Sequence, residues 1–230
     1  MRQLAGDLRS VSIALIWAAV LIVIAGQAGS AGEPPETVSF STSDGGRIQA
    51  HLYGSGDRAV VLAHGKVFDK ESWQPLAAHL AKQGLRVLAL DFRGYGDSRP
   101  GSAGKRIDLD VLGAVEYLEE LEASSISLLG ASMGGWAVGT AATRCAPGRI
   151  HKVILLAPAP IESPDEMRAE EFFYITSQGD ESIDRIRSQY TSAPEPKHLE
   201  LLPGKAHAQH IFKTDQAEAL TAAIVAALAE

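Results

Sequence analysis

The chain has 230 residues, of which 46% are hydrophobic and 21% are charged, and its formal net charge is -7. These values indicate one medium-sized globular domain with an ordinary core, and they exclude a chain that is mainly disordered. The negative charge and the lack of long Lys/Arg clusters argue against a nucleic-acid partner, because phosphate binding needs a basic face.

Residues 1–31 have the pattern of an export signal. Arg2 and Arg9 precede the uncharged apolar run 11–25, and small residues follow up to Ala31. The run is short for a membrane span, which needs about 20 apolar residues. We therefore expect a cleaved signal peptide, with an N-terminal membrane anchor as the alternative. The protein is expected to be secreted, periplasmic, or attached to a membrane through this segment alone.

From residue 37 to residue 230, strand-like and helix-like segments alternate. Two alternating runs around the turn sequence SDGG predict an early hairpin, and short apolar runs predict buried strands. Apolar residues at helical spacing predict the helices between them. The hairpin covers 38–41 and 48–53; the other strands are 59–63, 86–91, 126–130, 152–157, 172–177 and 198–202; the helices are 73–83, 107–118, 133–145 and one after 214.

This alternation predicts the α/β fold class, with a mostly parallel central sheet flanked by helices on both faces. In such sheets, ligands bind outside the carboxyl ends of the strands. The functional residues are therefore expected in the loops that directly follow strands.

A serine between two glycines follows one of the predicted strands, in the sequence LLGASMGG at 128–135. At a strand-to-helix turn, Ser132 would adopt a strained backbone, and a Cβ at Gly130 or Gly134 would collide with neighbouring chain. The helix that follows favours negative charge developing at the serine. The pattern G-x-S-x-G is common by chance, so its meaning depends on this context. A simple helix cap at Ser132 is the alternative interpretation.

Three segments, 61–100, 128–135 and 201–209, together resemble the α/β-hydrolase superfamily, and the similarity extends from about residue 38 to residue 227. In that superfamily the nucleophile, the acid and the histidine follow in this order, each in a loop after a strand. The resemblance assigns these roles to Ser132, Asp180 and His207.

The resemblance also implies two backbone donors for an oxyanion. Lys66 follows the His64-Gly65 pair, and Met133 follows the serine; their N–H groups are the implied oxyanion hole. No cofactor is implied. The only cysteine is Cys145, and no metal site is expected, because the remaining histidines have no acidic or histidine partner at ligand spacing.

For two of these roles, the acid and the histidine, the sequence also offers other residues. Asp180 is the preferred acid because it comes soonest after the strand; the alternative is that it caps a following helix that includes Ile183 and Ile186, and that Glu181 or Asp184 supplies the acid. His210 competes with His207, which follows a Pro-Gly turn directly and fits the motif better. His64 is expected to bond loop backbone rather than to titrate, and the charged groups of the loop 91–98 are expected to tie that loop down.

The segment between residues 157 and 172 is long enough for one turn and a short helix only. Many relatives carry a helical lid at this point, so a shallow, open pocket is expected. Such a pocket suits a small-molecule acyl substrate. The sequence therefore predicts a carboxylesterase-like serine hydrolase that cleaves small esters or thioesters through an acyl-enzyme intermediate. The alternatives are a non-catalytic binding protein of the same fold, or the same triad used for acyl transfer or peptide hydrolysis.

Overall fold

The computed structural model of the chain describes residues 34–229. The signal peptide or anchor predicted for residues 1–31 lies outside the described residues, so it stays a prediction. Of the helices in the described part of the chain, none is both long enough and apolar enough to cross a membrane.

Strands β1 to β8 form one sheet in the described chain, in the order β1-β2-β4-β3-β5-β6-β7-β8. The hairpin strands β1 and β2 are antiparallel, β2 is also antiparallel to β4, and all other neighbours are parallel. The strands are β1 Glu36–Ser41, β2 Arg47–Tyr53, β3 Arg58–Ala63, β4 Arg86–Leu90, β5 Ser125–Ala131, β6 Lys152–Leu156, β7 Glu171–Ser177 and β8 Lys197–Leu202. The mostly parallel α/β sheet predicted from the sequence is confirmed.

Five α-helices cover this sheet in the described chain, and short 3-10 helices precede α1, interrupt the β6–β7 connection and follow β8. Helices α2 and α3 pack against each other, while α1 and α5 face each other across a groove lined by Leu76 and Val225. The α-helices are α1 Gln74–Lys82, α2 Asp108–Glu120, α3 Met133–Arg144, α4 Ile183–Ser192 and α5 Ala217–Leu228; the 3-10 helices are Lys70–Trp73, Pro164–Glu166 and Ala208–Lys213.

The central strands are buried over almost their whole length, as the continuous apolar runs predict. Every residue of β6 is buried, and β5 is buried from Ile126 to Ala131. A strand covered on both faces has no solvent side, so its sequence does not alternate. Helix α5 instead buries one stripe, formed by Leu220, Ile224, Ala227 and Leu228, which recurs at helical spacing.

The connection between β6 and β7 is as limited as its length indicates. The segment has room for one turn and a short helix at most, and the described structure forms the single 3-10 turn Pro164–Glu166 there. Pro158, Pro160 and Pro164 lie in this connection. Proline lacks the N–H group that a helix interior needs, and it disfavours helical backbone in the residue before it. Apart from this turn, the connection has no regular secondary structure, and it carries no helical lid.

Candidate active site

Ser132 lies in the tight turn between β5 and α3. Its φ is +50° and its ψ is -111°, a region that costs a residue with a side chain about 1–3 kcal/mol. Hydrogen bonds hold the strained residue on both sides. The Ser132 N–H donates to Leu156 O at 3.0 Å, and the N–H groups of Ala159 and Trp136 donate to Ser132 O at 2.8 and 3.1 Å.

The glycines around Ser132 are required by close backbone contacts. A Cβ on Gly130 would overlap the carbonyl of Gly134, and a Cβ on Gly134 would overlap the carbonyl of Ala63 at the end of β3. Backbone carbonyls cannot move aside as a flexible side chain can, so these positions exclude larger residues. The collision predicted from the sequence at both positions is confirmed. Ser132 makes no capping bond to α3 with its side chain, which argues against the simple cap interpretation.

The structure brings Ser132, His207 and Asp180 into one hydrogen-bonded line. Nδ1 of His207 lies 2.7 Å from Oδ2 of Asp180, and Nε2 of His207 lies 2.9 Å from Oγ of Ser132. A carboxylate only accepts hydrogen bonds, so Nδ1 carries the proton and Nε2 is free to accept one from the serine hydroxyl. This is the arrangement that a serine nucleophile with a histidine base requires.

Hydrogen bonds connect the loop after β7 with the loop after β8, and they fix the position of Asp180 relative to His207. The N–H of Gly179 donates to Gly204 O at 2.9 Å, and the Ser177 hydroxyl donates to Ala206 O at 2.7 Å. Asp180 is only 2% exposed. The buried carboxylate therefore meets His207 from a fixed position.

The alternative acids and the alternative histidine that the sequence offers are not part of this hydrogen-bonded line. Glu181 and Asp184 are exposed, and within the described residues the carboxylate bonded to His207 is that of Asp180. Asp180 also accepts a hydrogen bond from the N–H of Ser182 at 2.8 Å, so it orders the start of α4 as well as facing the histidine. His210 is exposed and the centroid of its ring lies 5.0 Å from that of Phe68, whereas the Asp180 carboxylate is bonded to His207.

The two backbone groups implied as oxyanion donors belong to neighbouring segments. Met133 opens α3, where N–H groups have no partner within the helix, and Lys66 lies in the loop after β3. Within residues 34–229, neither N–H has a hydrogen-bond acceptor. The Tyr95 hydroxyl donates to Lys66 O at 2.8 Å and lies 3.9 Å from Sδ of Met133, so the two residues lie side by side.

His64 is a structural residue, as the sequence predicts. It is fully buried, its Nδ1 lies 2.9 Å from Gly65 O, and its Nε2 accepts from the Phe92 N–H at 3.2 Å. The Phe92 N–H can only donate and the Gly65 carbonyl can only accept, so the ring is the neutral tautomer with its proton on Nδ1. Burial lowers the pKa of His64, which keeps the ring neutral.

Ion pairs fix the loop after β4, which follows the prediction for residues 91–98. Arg93 lies between two carboxylates, with Nε 2.7 Å from Asp110 Oδ1 and Nη1 2.8 Å from Asp44 Oδ2. Lys70 Nζ lies 2.7 Å from Asp91 Oδ2. These charged groups pair with one another and stabilise the loop. The same loop presents Tyr95, whose ring packs 4.6 Å from that of His64.

Sequence reasoning missed Gln209, which lies two residues after His207. The side chain is buried, and its Oε1 accepts the Gly65 N–H at 2.7 Å. No local signal marks this residue, because Gly65 is 144 positions away in the chain. Only the packing of the two loops against each other reveals the contact.

A cavity of about 810 Å³ adjoins the hydrogen-bonded line on the side of His207. Its walls are the loop after β7, the loop after β8 and the start of α5, and they include Asp180 and His207. Ser132 does not line this cavity. Ser132 is partly exposed and lies directly after β5, at the carboxyl end of the sheet.

Two of the other histidines have acidic partners that their sequence spacing did not reveal. His151 Nδ1 lies 2.7 Å from Glu170 Oε2, and His198 Nε2 lies 2.8 Å from Glu171 Oε1. These contacts are at the start of β6 and β7, at the end of the sheet opposite Ser132. In the described part of the chain, no group of three or more potential metal ligands comes together.

Comparison with known proteins gives a family and several partial relatives. The model of a family described as alpha/beta hydrolase fold matches residues 58–221. A non-heme chloroperoxidase of Streptomyces lividans is 31% identical over 123 residues, which cover 53% of this chain and 45% of that protein. A 2-hydroxy-6-oxononadienedioate/2-hydroxy-6-oxononatrienedioate hydrolase of Escherichia coli O81 (strain ED1a) is 35% identical over 114 residues, covering 48% of this chain and 39% of that one. The aligned part thus spans less than half the length of these relatives.

Solved structures show the same fold at lower sequence identity. An esterase of Pyrococcus furiosus superposes with a TM-score of 0.69 at 18% identity, and the match covers 84% of this chain and 90% of the esterase. At this identity the likeness concerns the fold. The architecture derived above from the strand order is therefore shared with proteins of known structure.

Proposed function

Because this chain belongs to the alpha/beta hydrolase fold family, we propose that it is a serine hydrolase that cleaves small ester or thioester substrates. In this proposal Ser132 is the nucleophile, His207 the general base, and Asp180 the acid that orients the imidazole. The N–H groups of Lys66 and Met133 form the oxyanion hole. The reaction passes through an acyl-enzyme intermediate.

The observation that carries the proposal is the hydrogen-bonded line of Ser132, His207 and Asp180, with distances of 2.9 and 2.7 Å. Three residues from separate loops meet in the order and tautomer that acyl transfer requires. The strained backbone of Ser132 supports the same role, because strain of this kind clusters at functional sites. A binding protein without catalysis would need neither feature.

Acylation begins when Ser132 Oγ attacks the substrate carbonyl. Nε2 of His207 takes the hydroxyl proton, and the resulting imidazolium is stabilised by the Asp180 carboxylate. The carbonyl oxygen becomes an anion that accepts hydrogen bonds from the N–H groups of Lys66 and Met133, each worth about 3 kcal/mol in comparable sites. The tetrahedral intermediate then collapses, and His207 returns the proton to the leaving alcohol or thiol.

Deacylation repeats these steps with water as the nucleophile. His207 takes a proton from water as the water attacks the Ser132 ester, and the same two N–H groups stabilise the second oxyanion. Collapse of this intermediate releases the carboxylic acid and restores the serine hydroxyl. No group beyond those already described is needed for the cycle.

The test is a substrate panel assayed with the wild type and with Ser132→Ala. We expect the wild type to hydrolyse p-nitrophenyl acetate and acetyl thiocholine, and to cleave p-nitroanilide amides much more slowly. Ser132→Ala should reduce ester hydrolysis at least about 10³-fold, since removal of the nucleophile leaves only binding and oxyanion stabilisation. Folded wild-type protein without esterase or thioesterase activity would contradict the proposal.

A further inference from the structure

We propose that Gln209 is a positioning residue that holds the backbone N–H of Lys66 in place for the oxyanion. This inference rests on the proposed function, because it concerns a donor of that reaction. Gln209 touches no substrate in this role. It acts through the peptide groups on either side of Gly65.

The amide of Gln209 is held in one orientation. Its Oε1 accepts the Gly65 N–H at 2.7 Å, and its Nε2 donates to Ser72 Oγ at 2.9 Å. A backbone N–H can only donate, so the atom that faces Gly65 must be the amide oxygen. Ser72 in turn donates its hydroxyl proton to Asp69 O, which leaves its lone pairs to accept from Gln209.

Gly65 needs such a constraint because it has no side chain. Glycine populates more backbone conformations than any other residue, and its φ and ψ set the direction of the next peptide group. That peptide group carries the Lys66 N–H. Its carbonyl, Gly65 O, accepts from His64 Nδ1 at 2.9 Å and from the Phe68 N–H at 3.0 Å.

Three residues therefore hold the two peptide groups that flank Gly65, and the Phe68 N–H bonds the same carbonyl as His64. His64 holds the carbonyl of the peptide that contains the Lys66 N–H, and Gln209 holds the N–H of the preceding peptide. Only 2% of Gln209 is exposed, so water cannot readily replace it as the acceptor. Without Gln209, the Gly65 N–H would be buried and unpaired, a state that costs about 1–3 kcal/mol and favours a rotated peptide.

The position of Gln209 in the chain links this constraint to the base. Gln209 belongs to the 3-10 helix Ala208–Lys213 that starts directly after His207. Ala208, between the two, has a φ of +49°, a strained value for a residue with a side chain. One short segment thus presents the imidazole to Ser132 and clamps the loop of the oxyanion donor.

The test compares Gln209→Met with Gln209→Glu on p-nitrophenyl acetate. Methionine keeps the length of the side chain but offers no acceptor for Gly65, so we expect kcat to fall about 10- to 100-fold, less than the loss of a whole donor, with KM within about 2-fold. The Ki of butylboronic acid, which forms a tetrahedral adduct with serine, should rise by a similar factor. Glutamate keeps an acceptor for the Gly65 N–H. We therefore expect the fall in log kcat for Gln209→Glu to be at most about half of the fall for Gln209→Met.

The matched control is Gln189→Met. Gln189 is also a buried glutamine whose Oε1 accepts a backbone N–H, that of Ile161 at 2.7 Å, but it does not touch Gly65. A stability role alone would lower the melting temperature of both variants and leave both kcat values unchanged. If Gln209→Met does not fold, Ser72→Ala replaces it; this change removes only the second bond of the amide, and we expect kcat to fall about 2- to 5-fold.

The outcomes separate this inference from the proposed function. The role of Gln209 alone would be overturned if the wild type is active and folded Gln209→Met keeps the wild-type kcat and boronate affinity. The same holds for Ser72→Ala if that variant replaces Gln209→Met. A loss in Gln209→Met that glutamate does not restore would also overturn it. A wild type without hydrolysis and without boronate binding would instead overturn the proposed function.

Discussion

The imidazole of His207 is held by hydrogen bonds to two side chains, those of Asp180 and Ser132. Asp180 fixes the proton on Nδ1, and this leaves Nε2 as the only ring atom that can accept from Ser132. The carboxylate also contacts the hydroxyl of Thr176 at 3.4 Å and the N–H of Ser182 at 2.8 Å. These contacts fix the carboxylate itself, so the tautomer of the histidine follows from the packing of β7 and α4.

Asp180→Asn tests this dependence. The amide can keep the volume of the carboxylate, but when its NH₂ group faces Nδ1 the ring must carry its proton on Nε2, and it can no longer act as a base. We expect kcat for p-nitrophenyl acetate to fall about 10³- to 10⁴-fold with little change in fold. Steady-state kinetics and far-ultraviolet circular dichroism measure the two effects.

The controls for this change are Glu181→Gln and Asp184→Asn. Both acids are exposed and both compete with Asp180 when only the sequence is considered. Each control should retain kcat within about 3-fold of the wild type. Full activity in Asp180→Asn, or a large loss in either control, would mean that the acid has been assigned to the wrong residue.

Buried ion pairs hold the loop after β4 against its neighbouring segments. Hydrogen bonds from Arg93, aided by the Thr42 hydroxyl, hold the pKa of Asp44 far below its usual range. Arg93 is almost fully buried between Asp44 and Asp110. Because the loop also carries Tyr95, these ion pairs position the side chain that bonds Lys66 O.

Asp44→Asn should destabilise the protein in a pH-dependent way. A carboxylate whose pKa is lowered by folding stabilises the native state above the pKa of the unfolded chain, which is about 3.9, and this stabilisation is lost as the pH falls towards the lower folded value. We expect a loss of about 1–3 kcal/mol at pH 7, and a smaller difference from wild type at pH 3. Urea unfolding at the two pH values measures it.

Asp57→Asn is the control for this experiment, because Asp57 is exposed and forms no ion pair in the described structure. It should change the free energy of unfolding by less than about 0.5 kcal/mol at both pH values. A difference between Asp44→Asn and wild type that stays constant or grows on acidification would show that the Asp44 carboxylate is not stabilised in the folded state.

Element by element, the sequence predicts what depends on local pattern. The strands and the helices α1, α2, α3 and α5 in the described part of the chain follow the apolar runs and helical spacings, whereas α4 is foreseen only as a helix that Asp180 could cap. Ser132, Asp180 and His207 lie after β5, β7 and β8. The length of the segment between β6 and β7 limits it to one turn and a short helix, and the single 3-10 turn Pro164–Glu166 lies within that limit. The contacts of Gln209 and Tyr95 with the Lys66 loop could not be predicted, since they depend on how distant loops pack.

For the molecule as a whole, we expect the lack of a helical lid between β6 and β7 to limit the length of the acyl chains that the proposed hydrolase accepts. The 3-10 turn Pro164–Glu166 is the only helical structure in this connection, and Ser132 stays partly exposed at the rim of the sheet. Burial of one methylene group in a closed tunnel contributes roughly 0.8 kcal/mol to binding. An open site buries little of a long acyl chain, so each added methylene contributes much less there.

The protein should therefore prefer short acyl chains. We expect kcat/KM for p-nitrophenyl acetate and butyrate to exceed that for p-nitrophenyl palmitate by at least about 10-fold, measured below the concentration at which palmitate esters form micelles. An excess of palmitate hydrolysis over acetate hydrolysis would show that a long acyl pocket forms despite the short connection. The Ser132→Ala variant gives the background rate for each ester.

If the line of Ser132, His207 and Asp180 makes Ser132 a nucleophile, a fluorophosphonate should modify this serine covalently. The intact mass of the treated protein measures this modification. We predict a single adduct on the wild type and on Ser188→Ala, which changes an exposed serine of α4, and no adduct on Ser132→Ala. A folded wild type that takes up no label, or a Ser132→Ala variant that is labelled like the wild type, would contradict this prediction.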